Sequence, residues 1–237
     1  MAGIQCCENP PDLSLSSGSG CVEEIGGLQS YVSGSLDSKL GILLVSDVFG
    51  YEAPNLRNLA DKVAAAGYYV VVPDFFHGDP YTPDKDLLVW LQSHGTDMGT
   101  EEAKTVIEAL KVKGISAVGA AGMCWGGKVV GELAKSDDLK AIVMMHPALV
   151  TVDDIKEIKV PISILGAEVD QLSPPELVKQ FEQVLLTKSD QVPSFVKIFE
   201  GVEHGWTVRY DIANKEAVKH AEEAHANMLE WFSKYVK

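Results

Sequence analysis

The sequence is poor in cysteine and lacks a long apolar run. Only four of its 237 residues are cysteines, and none of them lies in a CxxC pair or at a Cys/His spacing typical of a zinc site. No apolar run approaches the roughly 18 residues that a membrane-spanning helix needs. These absences argue against a zinc-stabilised domain and a membrane protein. We therefore expect no metal and no other cofactor.

Basic residues are also scarce, with 20 Lys and Arg against 34 Asp and Glu, which gives a formal net charge of −14. A surface of this charge repels phosphate backbones and anionic lipids, so nucleic-acid and membrane partners are disfavoured. Met1 to Pro11 has neither the basic stretch nor the apolar core of a secretory signal. Free thiols persist in a reducing compartment. We expect a cytoplasmic protein that acts on a small molecule as a monomer or weak dimer.

The chain divides into a short arm and a long regular region. Residues 1–25 are interpreted as a flexible N-terminal arm, since the first part is rich in Ser, Gly and Pro. Cys6 and Cys7 lie in this arm, where we expect them to be inert, with oxidation or acylation as the alternative. Residues 26–237 are interpreted as a single α/β domain.

Short apolar runs and helical spacings alternate through this region. The predicted strands are residues 28–32, 41–46, 68–72, 115–121, 141–145, 160–165 and 195–199. The predicted helices are residues 54–66, about 84–92, 99–111, 125–134, 174–186 and 214–235. This alternation predicts a mostly parallel sheet with helices on both faces.

The most informative stretch is an apolar strand followed by Gly122-Met123-Cys124-Trp125-Gly126 and then a helix. This is the nucleophile-elbow pattern with Cys in place of Ser. Gly122 and Gly126 leave room for a tight turn, and the helix N-terminus favours a thiolate at Cys124. We interpret Cys124 as a nucleophile. A buried structural cysteine beside a glycine-rich turn is the alternative.

A cysteine nucleophile needs a base and a group that orients the base. Asp170 and His204 each follow a predicted strand, so both lie at carboxyl ends of parallel strands, where sites gather in α/β sheets. The order nucleophile, acid, histidine is that of an elbow enzyme. Glu168 is a rival for the acid. His220 and His225, in the final helix, are expected to be solvated.

Five motifs carry a resemblance to a known family. They are Asp47-Val48-Phe49-Gly50, Val72-Pro73-Asp74, Gly122-Met123-Cys124-Trp125-Gly126-Gly127, Gly166-Ala167-Glu168-Val169-Asp170 and His204-Gly205-Trp206. With them the chain resembles the dienelactone hydrolase (carboxymethylenebutenolidase-like) family of α/β-hydrolases, in particular its plant cytosolic branch, from about residue 26 onward. The resemblance implies an α/β-hydrolase fold and a triad of Cys124, His204 and Asp170. It also implies cleavage of a small ester or lactone through an acyl-thioester.

The resemblance implies further roles around the triad. The backbone N–H groups of Val48 and Trp125 would form the oxyanion hole, and Asp47 would pair with the resting thiol. Arg209 matches one of two arginines that bind a substrate carboxylate in bacterial members, and Phe75-Phe76-His77-Gly78 stands in place of the other. The remaining candidates for substrate contact are Phe49, Tyr51, Phe76 and Trp206, each with core packing as the alternative, and His77, which would at most substitute weakly for the missing arginine.

Three other functions remain open for this sequence. The first is a non-catalytic or receptor-like homologue that binds a small molecule. The second is a lyase, cyclase or transferase built on the same elbow. The third is a β-glucan hydrolase, since some plant relatives carry an endo-1,3;1,4-β-glucanase label, although such chemistry uses paired acids across a long sugar cleft.

Overall fold

The chain folds around a mostly parallel β-sheet. The computed structural model describes residues 4–13 and 17–237. The strands are β1 (Cys21–Ile25), β2 (Leu28–Ser33), β3 (Leu40–Val45), β4 (Tyr69–Pro73), β5 (Ala117–Met123), β6 (Ile142–Met145), β7 (Ile162–Val169) and β8 (Ser194–Glu203). The helices are α1 (Pro54–Ala65), α2 (Leu87–Ser93), α3 (Thr96–Val112), α4 (Trp125–Leu133), α5 (Val152–Glu157), α6 (Pro175–Leu186) and α7 (Lys215–Tyr235), and a 3₁₀ helix spans Ile4–Cys7.

The strand order in the sheet is β1-β2-β4-β3-β5-β6-β7-β8. The pairs β1–β2 and β2–β4 are antiparallel, and every later pair is parallel. Because the parallel strands run in the same direction, their carboxyl ends meet at one edge of the sheet, where sites of open α/β sheets gather. The fold class predicted from the sequence is confirmed.

Apolar side chains fill both faces of the sheet. Along β3, Leu43 and Val45 belong to one buried cluster and Ile42 and Leu44 to the other, as the two-residue period of a strand requires. Helices α3, α4 and α6 cover the first face, and α1 and α7 cover the second. None of the helices in the described ranges is long and apolar enough to cross a membrane.

The predicted end of the N-terminal arm, at residue 25, is wrong. Cys21–Ile25 is a strand that pairs with β2, so the sheet begins before residue 26. The first four residues of this strand are exposed or only half-buried, and its sequence shows little of the apolar pattern by which the other strands are recognised. Residues 1–3 and 14–16 of the predicted arm lie outside the described residues.

Candidate active site

The candidate nucleophile lies in a sharp turn between β5 and α4. Cys124 has a φ of 50° and a ψ of −111°, a conformation that costs a non-glycine residue on the order of 1–3 kcal/mol. Its N–H donates to the Met145 carbonyl at 3.2 Å, and its carbonyl accepts from the N–H groups of Gly127 at 3.0 Å and Ala148 at 2.9 Å. These hydrogen bonds to neighbouring elements hold the strained residue at the carboxyl edge of the sheet.

Two glycines allow the backbone to turn so tightly. A Cβ on Gly122 would lie 2.1 Å from the Gly126 carbonyl oxygen, and a Cβ on Gly126 would lie 2.3 Å from the Val45 carbonyl oxygen. Side chains are therefore excluded at both positions. The turn leaves Trp125 as the first residue of α4, where a backbone N–H has no partner within its own helix.

The predicted acid and histidine meet at the same edge. Asp170 follows β7 and His204 follows β8, and the His204 Nδ1–H donates to Asp170 Oδ2 at 2.8 Å. The other Asp170 oxygen, Oδ1, accepts from the N–H groups of Leu172 at 2.8 Å and Ser173 at 3.0 Å. Both side chains are fully buried. This arrangement fixes the His204 ring with Nε2 directed away from Asp170.

The free ring nitrogen of His204 faces two sulfurs. The Sγ atoms of Cys6 and Cys124 and a ring nitrogen of His204 lie within 4.8 Å of one another, and His204 Nε2 has no hydrogen-bond partner among the described residues. These three donor atoms could also hold a soft metal ion. Sequence spacing could not predict such a group, because Cys6 is 118 residues from Cys124.

The N-terminal segment, defined here as residues 4–12, covers the nucleophile. Cys6 is buried, and its Sγ lies 3.2 Å from the Cys124 Sγ. The hydrogen bond to Cys124, together with burial, raises the pKa of the Cys6 thiol, so Cys6 keeps its proton at neutral pH. Cys6 does not lie in a loose leader, because its side chain packs against the elbow, and its expected inertness stays a prediction.

Two anchors hold this segment in place. The Gln5 side chain donates to the Val169 carbonyl at 3.0 Å and accepts from the Gln171 N–H at 2.6 Å, on either side of Asp170. The Arg209 NH1 group donates to the carbonyls of Cys6 at 2.8 Å and Glu8 at 2.7 Å. The segment therefore contacts the two loops that carry the acid and the histidine.

Asp47 lies beside Arg209 at the candidate site. Its Oδ2 is 3.3 Å from the Arg209 Nε, and its Oδ1 accepts from the Phe49 N–H at 3.0 Å. Burial raises the pKa of Asp47, and the Arg209 charge opposes that rise. The Cys6 sulfur lies beside the Cys124 thiol, and the pairing of Asp47 with the resting thiol stays a prediction.

The predicted substrate contacts divide into two groups. Trp206, Arg209 and His204 line a cavity of about 660 Å³, together with residues 9–12 of the N-terminal segment. Phe49 lies under the Arg209 guanidinium, at 5.4 Å from ring centroid to carbon. These residues lie beside the candidate triad, and their contact with a substrate stays a prediction.

The other candidates are placed elsewhere by the structure. The His77 side chain is exposed and bonds to Glu102 on α3 at 2.7 Å, which does not support its predicted role. The Tyr51 ring packs against Arg57 at 5.2 Å. Phe76 packs against Trp125, with ring centroids 5.0 Å apart, so for Phe76 the core-packing alternative describes its contacts.

Residues behind His204 form a second layer that sequence reasoning missed. The His146 ring lies edge-on to His204, with centroids 5.0 Å apart, and its Nε2 hydrogen-bonds with the Thr207 hydroxyl at 2.7 Å. His225 on α7 donates from Nε2 to the Thr207 carbonyl at 2.8 Å. His225 is buried, so its expected solvation is wrong. Desolvation holds the pKa of His146 well below its usual value.

We expect His225 to make the folded chain sensitive to acid. Burial lowers its pKa from 6.5 to about 4, so between these values the unfolded chain binds a proton that the folded chain does not. The free energy of unfolding should therefore fall as the pH drops from 6.5 to 4, on the order of 3 kcal/mol from this residue. Denaturant unfolding at several pH values measures that slope.

His225→Gln is the matched variant, because glutamine can donate to the Thr207 carbonyl without titrating. The variant should lose less stability than the wild type between pH 6.5 and 4, whatever its stability at neutral pH. An identical loss in both proteins would contradict the buried, uncharged state of His225.

The fold and the site together define an α/β-hydrolase: a mostly parallel sheet, a sharp elbow after β5, and an acid and a histidine after β7 and β8. Within this class the chain belongs to the dienelactone hydrolase family, whose sequence model matches residues 28–236. The predicted family is confirmed.

The chain is similar to named proteins of a plant and of an animal. The chain is 48% identical to a protein of Zea mays named endo-1,3;1,4-beta-D-glucanase, over 78% of this chain and 62% of the maize protein, so it spans less than two thirds of that relative. It is 34% identical to the carboxymethylenebutenolidase homolog of Xenopus tropicalis, over 90% of this chain and 89% of that protein. A candidate dienelactone hydrolase structure from Klebsiella pneumoniae shares the fold, with a TM-score of 0.74 at 20% identity over 88% of this chain and 93% of the other.

Proposed function

We propose that this chain hydrolyses a small ester or lactone through a cysteine acyl-thioester, with Cys124 as nucleophile, His204 as base and Asp170 as the orienting acid. The observation that carries the proposal is the Asp170–His204 hydrogen bond of 2.8 Å, which leaves the other ring nitrogen free beside the Cys124 sulfur. A nucleophile, its base and an orienting group in this order are the parts of a triad.

The reaction begins when the N-terminal segment moves aside, because Cys124 is fully buried beneath it. His204 takes the thiol proton, and the thiolate attacks the substrate carbonyl. The N–H groups of Val48 and Trp125 donate to the oxyanion, each worth about 3 kcal/mol in comparable enzymes. The alcohol leaves with the proton from His204. Water, deprotonated by His204, then cleaves the thioester, and Asp170 stabilises the imidazolium in both steps.

The leaving group limits the range of substrates. A thiolate is itself a good leaving group, so the tetrahedral intermediate expels the thiolate again unless the alcohol leaves easily. Activated esters, enol esters and lactones therefore suit this site better than amides. Arg209 is already paired with Asp47, and the second arginine of bacterial relatives is replaced by Phe75-Phe76-His77-Gly78. Both features favour a substrate without a carboxylate.

A panel of substrates tests this proposal. We expect turnover of a p-nitrophenyl acyl ester and of a neutral enol lactone, with a lower kcat/KM for a lactone that carries a carboxylate and no cleavage of the matching anilide. Product analysis by mass spectrometry separates hydrolysis from a lyase, cyclase or transferase reaction. Binding without turnover of any ester or lactone would instead favour the receptor-like alternative.

Mixed-linkage β-glucan belongs in the same panel because of the name of the maize relative. Glycoside hydrolysis uses two carboxyl groups on either side of the sugar. Two buried carboxylates beside the elbow are already engaged by protein groups, Asp170 by His204 and Asp47 by Arg209. We expect no release of reducing sugar. Release that survives in a Cys124→Ser variant would support a glucanase and contradict the triad.

A further inference from the structure

Two buried sulfurs face each other across the site. The Cys6 and Cys124 Sγ atoms are 3.2 Å apart, and neither residue is more than 2% exposed. We propose that Cys6 and Cys124 are an oxidative modification site, at which a hydroperoxide converts the two thiols into a reversible disulfide that joins the N-terminal segment to the nucleophile.

The geometry requires only a small movement. An S–S bond is about 2.05 Å long, so the sulfurs must approach by roughly 1.2 Å. Hydrogen bonds from Arg209 and from Gln5 anchor the N-terminal segment and hold Cys6 beside Cys124. A resolving thiol held beside a reactive one is the arrangement found in redox-sensitive cysteines.

The chemistry balances with a hydroperoxide as the only oxidant. When the segment is open, the Cys124 thiolate attacks the peroxide, the O–O bond breaks, and a sulfenic acid and an alcohol (or water) form. When the segment closes, the Cys6 sulfur attacks the Cys124 sulfur, the S–O bond breaks, and the hydroxide leaves as water with the Cys6 proton. Two thiols lose two electrons in total, and the hydroperoxide gains them.

The other two cysteines are worse placed to resolve the sulfenic acid. Cys7 is only half-buried, and Cys21 is exposed in β1. Cys7 contacts Cys6 and Tyr81 through its thiol. Cys6 is thus the thiol in contact with the nucleophile, and its replacement should change the fate of the oxidised Cys124.

The expected loss of hydrolysis rests on the proposed function. Formation of the Cys6–Cys124 disulfide does not. A nucleophile held in a disulfide cannot attack a carbonyl, so hydrolysis should stop in proportion to the cross-linked fraction. A dithiol reductant should restore the activity by thiol–disulfide exchange. The same bond fixes the N-terminal segment over the cavity beside His204.

The primary test is peptide mapping under non-reducing conditions. The intact protein, reduced and then freed of reductant, is treated with a small excess of hydrogen peroxide in the presence of a chelator, so that metal capture by the thiols does not interfere. We expect a peptide pair linked through Cys6 and Cys124, formed at the same yield at different protein concentrations. Ester hydrolysis should fall with the yield and return after dithiothreitol.

Matched variants decide the role of Cys6. In Cys6→Ser we expect no cross-link and, at Cys124, a sulfenic acid trapped by dimedone or further oxidation that dithiothreitol does not reverse. Cys21→Ser should behave as the wild type. A Cys6–Cys7 link with Cys124 left free, or loss of activity in oxidised Cys6→Ser through a cross-link of Cys124 to another cysteine at the wild-type yield, would overturn the proposal. If the bond forms in a protein that hydrolyses no ester, only the proposed function fails.

Discussion

Cys124→Ala is expected to lower kcat for an activated ester by about 10⁶-fold, the scale measured when the nucleophile of a comparable triad is removed. Alanine keeps the elbow backbone and its hydrogen bonds to Met145 and Ala148 but has no sulfur. The residual activity of Cys124→Ala then reflects substrate binding and the oxyanion donors alone. Steady-state hydrolysis of a p-nitrophenyl ester measures the loss, with the substrate concentration varied to separate kcat from KM.

Two controls accompany that variant. Cys21→Ser removes an exposed thiol far from the site and should keep the wild-type rate. Cys124→Ser retains a hydroxyl nucleophile and should fall between the wild type and the alanine variant. Denaturant unfolding shows whether each variant is folded. Rapid turnover by folded Cys124→Ala would show that the elbow cysteine is not the nucleophile.

Asp170→Asn is expected to lower kcat by about 10⁴-fold, as does the same change in a Ser-His-Asp triad. The carboxylate accepts the Nδ1–H of His204 and so fixes the tautomer whose free nitrogen faces Cys124. An asparagine can present its amide N–H₂ to Nδ1 and favour the opposite tautomer. The loss should appear in kcat, because the change leaves the substrate cavity intact.

Glu168→Gln is the matched control, since Glu168 was the rival acid in the sequence. Its side chain is exposed and accepts the Gly201 N–H at 2.7 Å, a bond that glutamine can keep. We expect wild-type activity for Glu168→Gln. A larger loss from Glu168→Gln than from Asp170→Asn would reverse the assignment of the acid.

Much of the fold could be predicted because its central strands are short apolar runs bounded by turn-forming residues. The strand predicted at 41–46 is β3, and the helix predicted at 54–66 is α1 (Pro54–Ala65). Strand β1 was missed because most of it is exposed and polar at the sheet edge. Helix α5 is only six residues long and is marked mainly by the capping box of Thr151 and Asp154.

The candidate triad could be predicted because each member follows a recognisable strand, and parallel strands bring their carboxyl ends together. The contacts made by Cys6, Arg209 and His225 could not, because no local pattern links residues so far apart along the chain. Cys6 and Arg209 are 203 residues apart yet share a hydrogen bond. A buried histidine on a helix such as α7 resembles a solvated one until its packing is known.

We expect the Cys124 sulfur to carry the acyl group during turnover. The direct measurement mixes the enzyme with an activated ester, quenches in acid within the first turnovers and determines the mass of the intact chain and of its peptides. We expect one acyl group per chain on the peptide that contains Cys124, released by hydroxylamine and missing from Cys124→Ala. Turnover with no acylated Cys124, or with the acyl group on another residue, would contradict it.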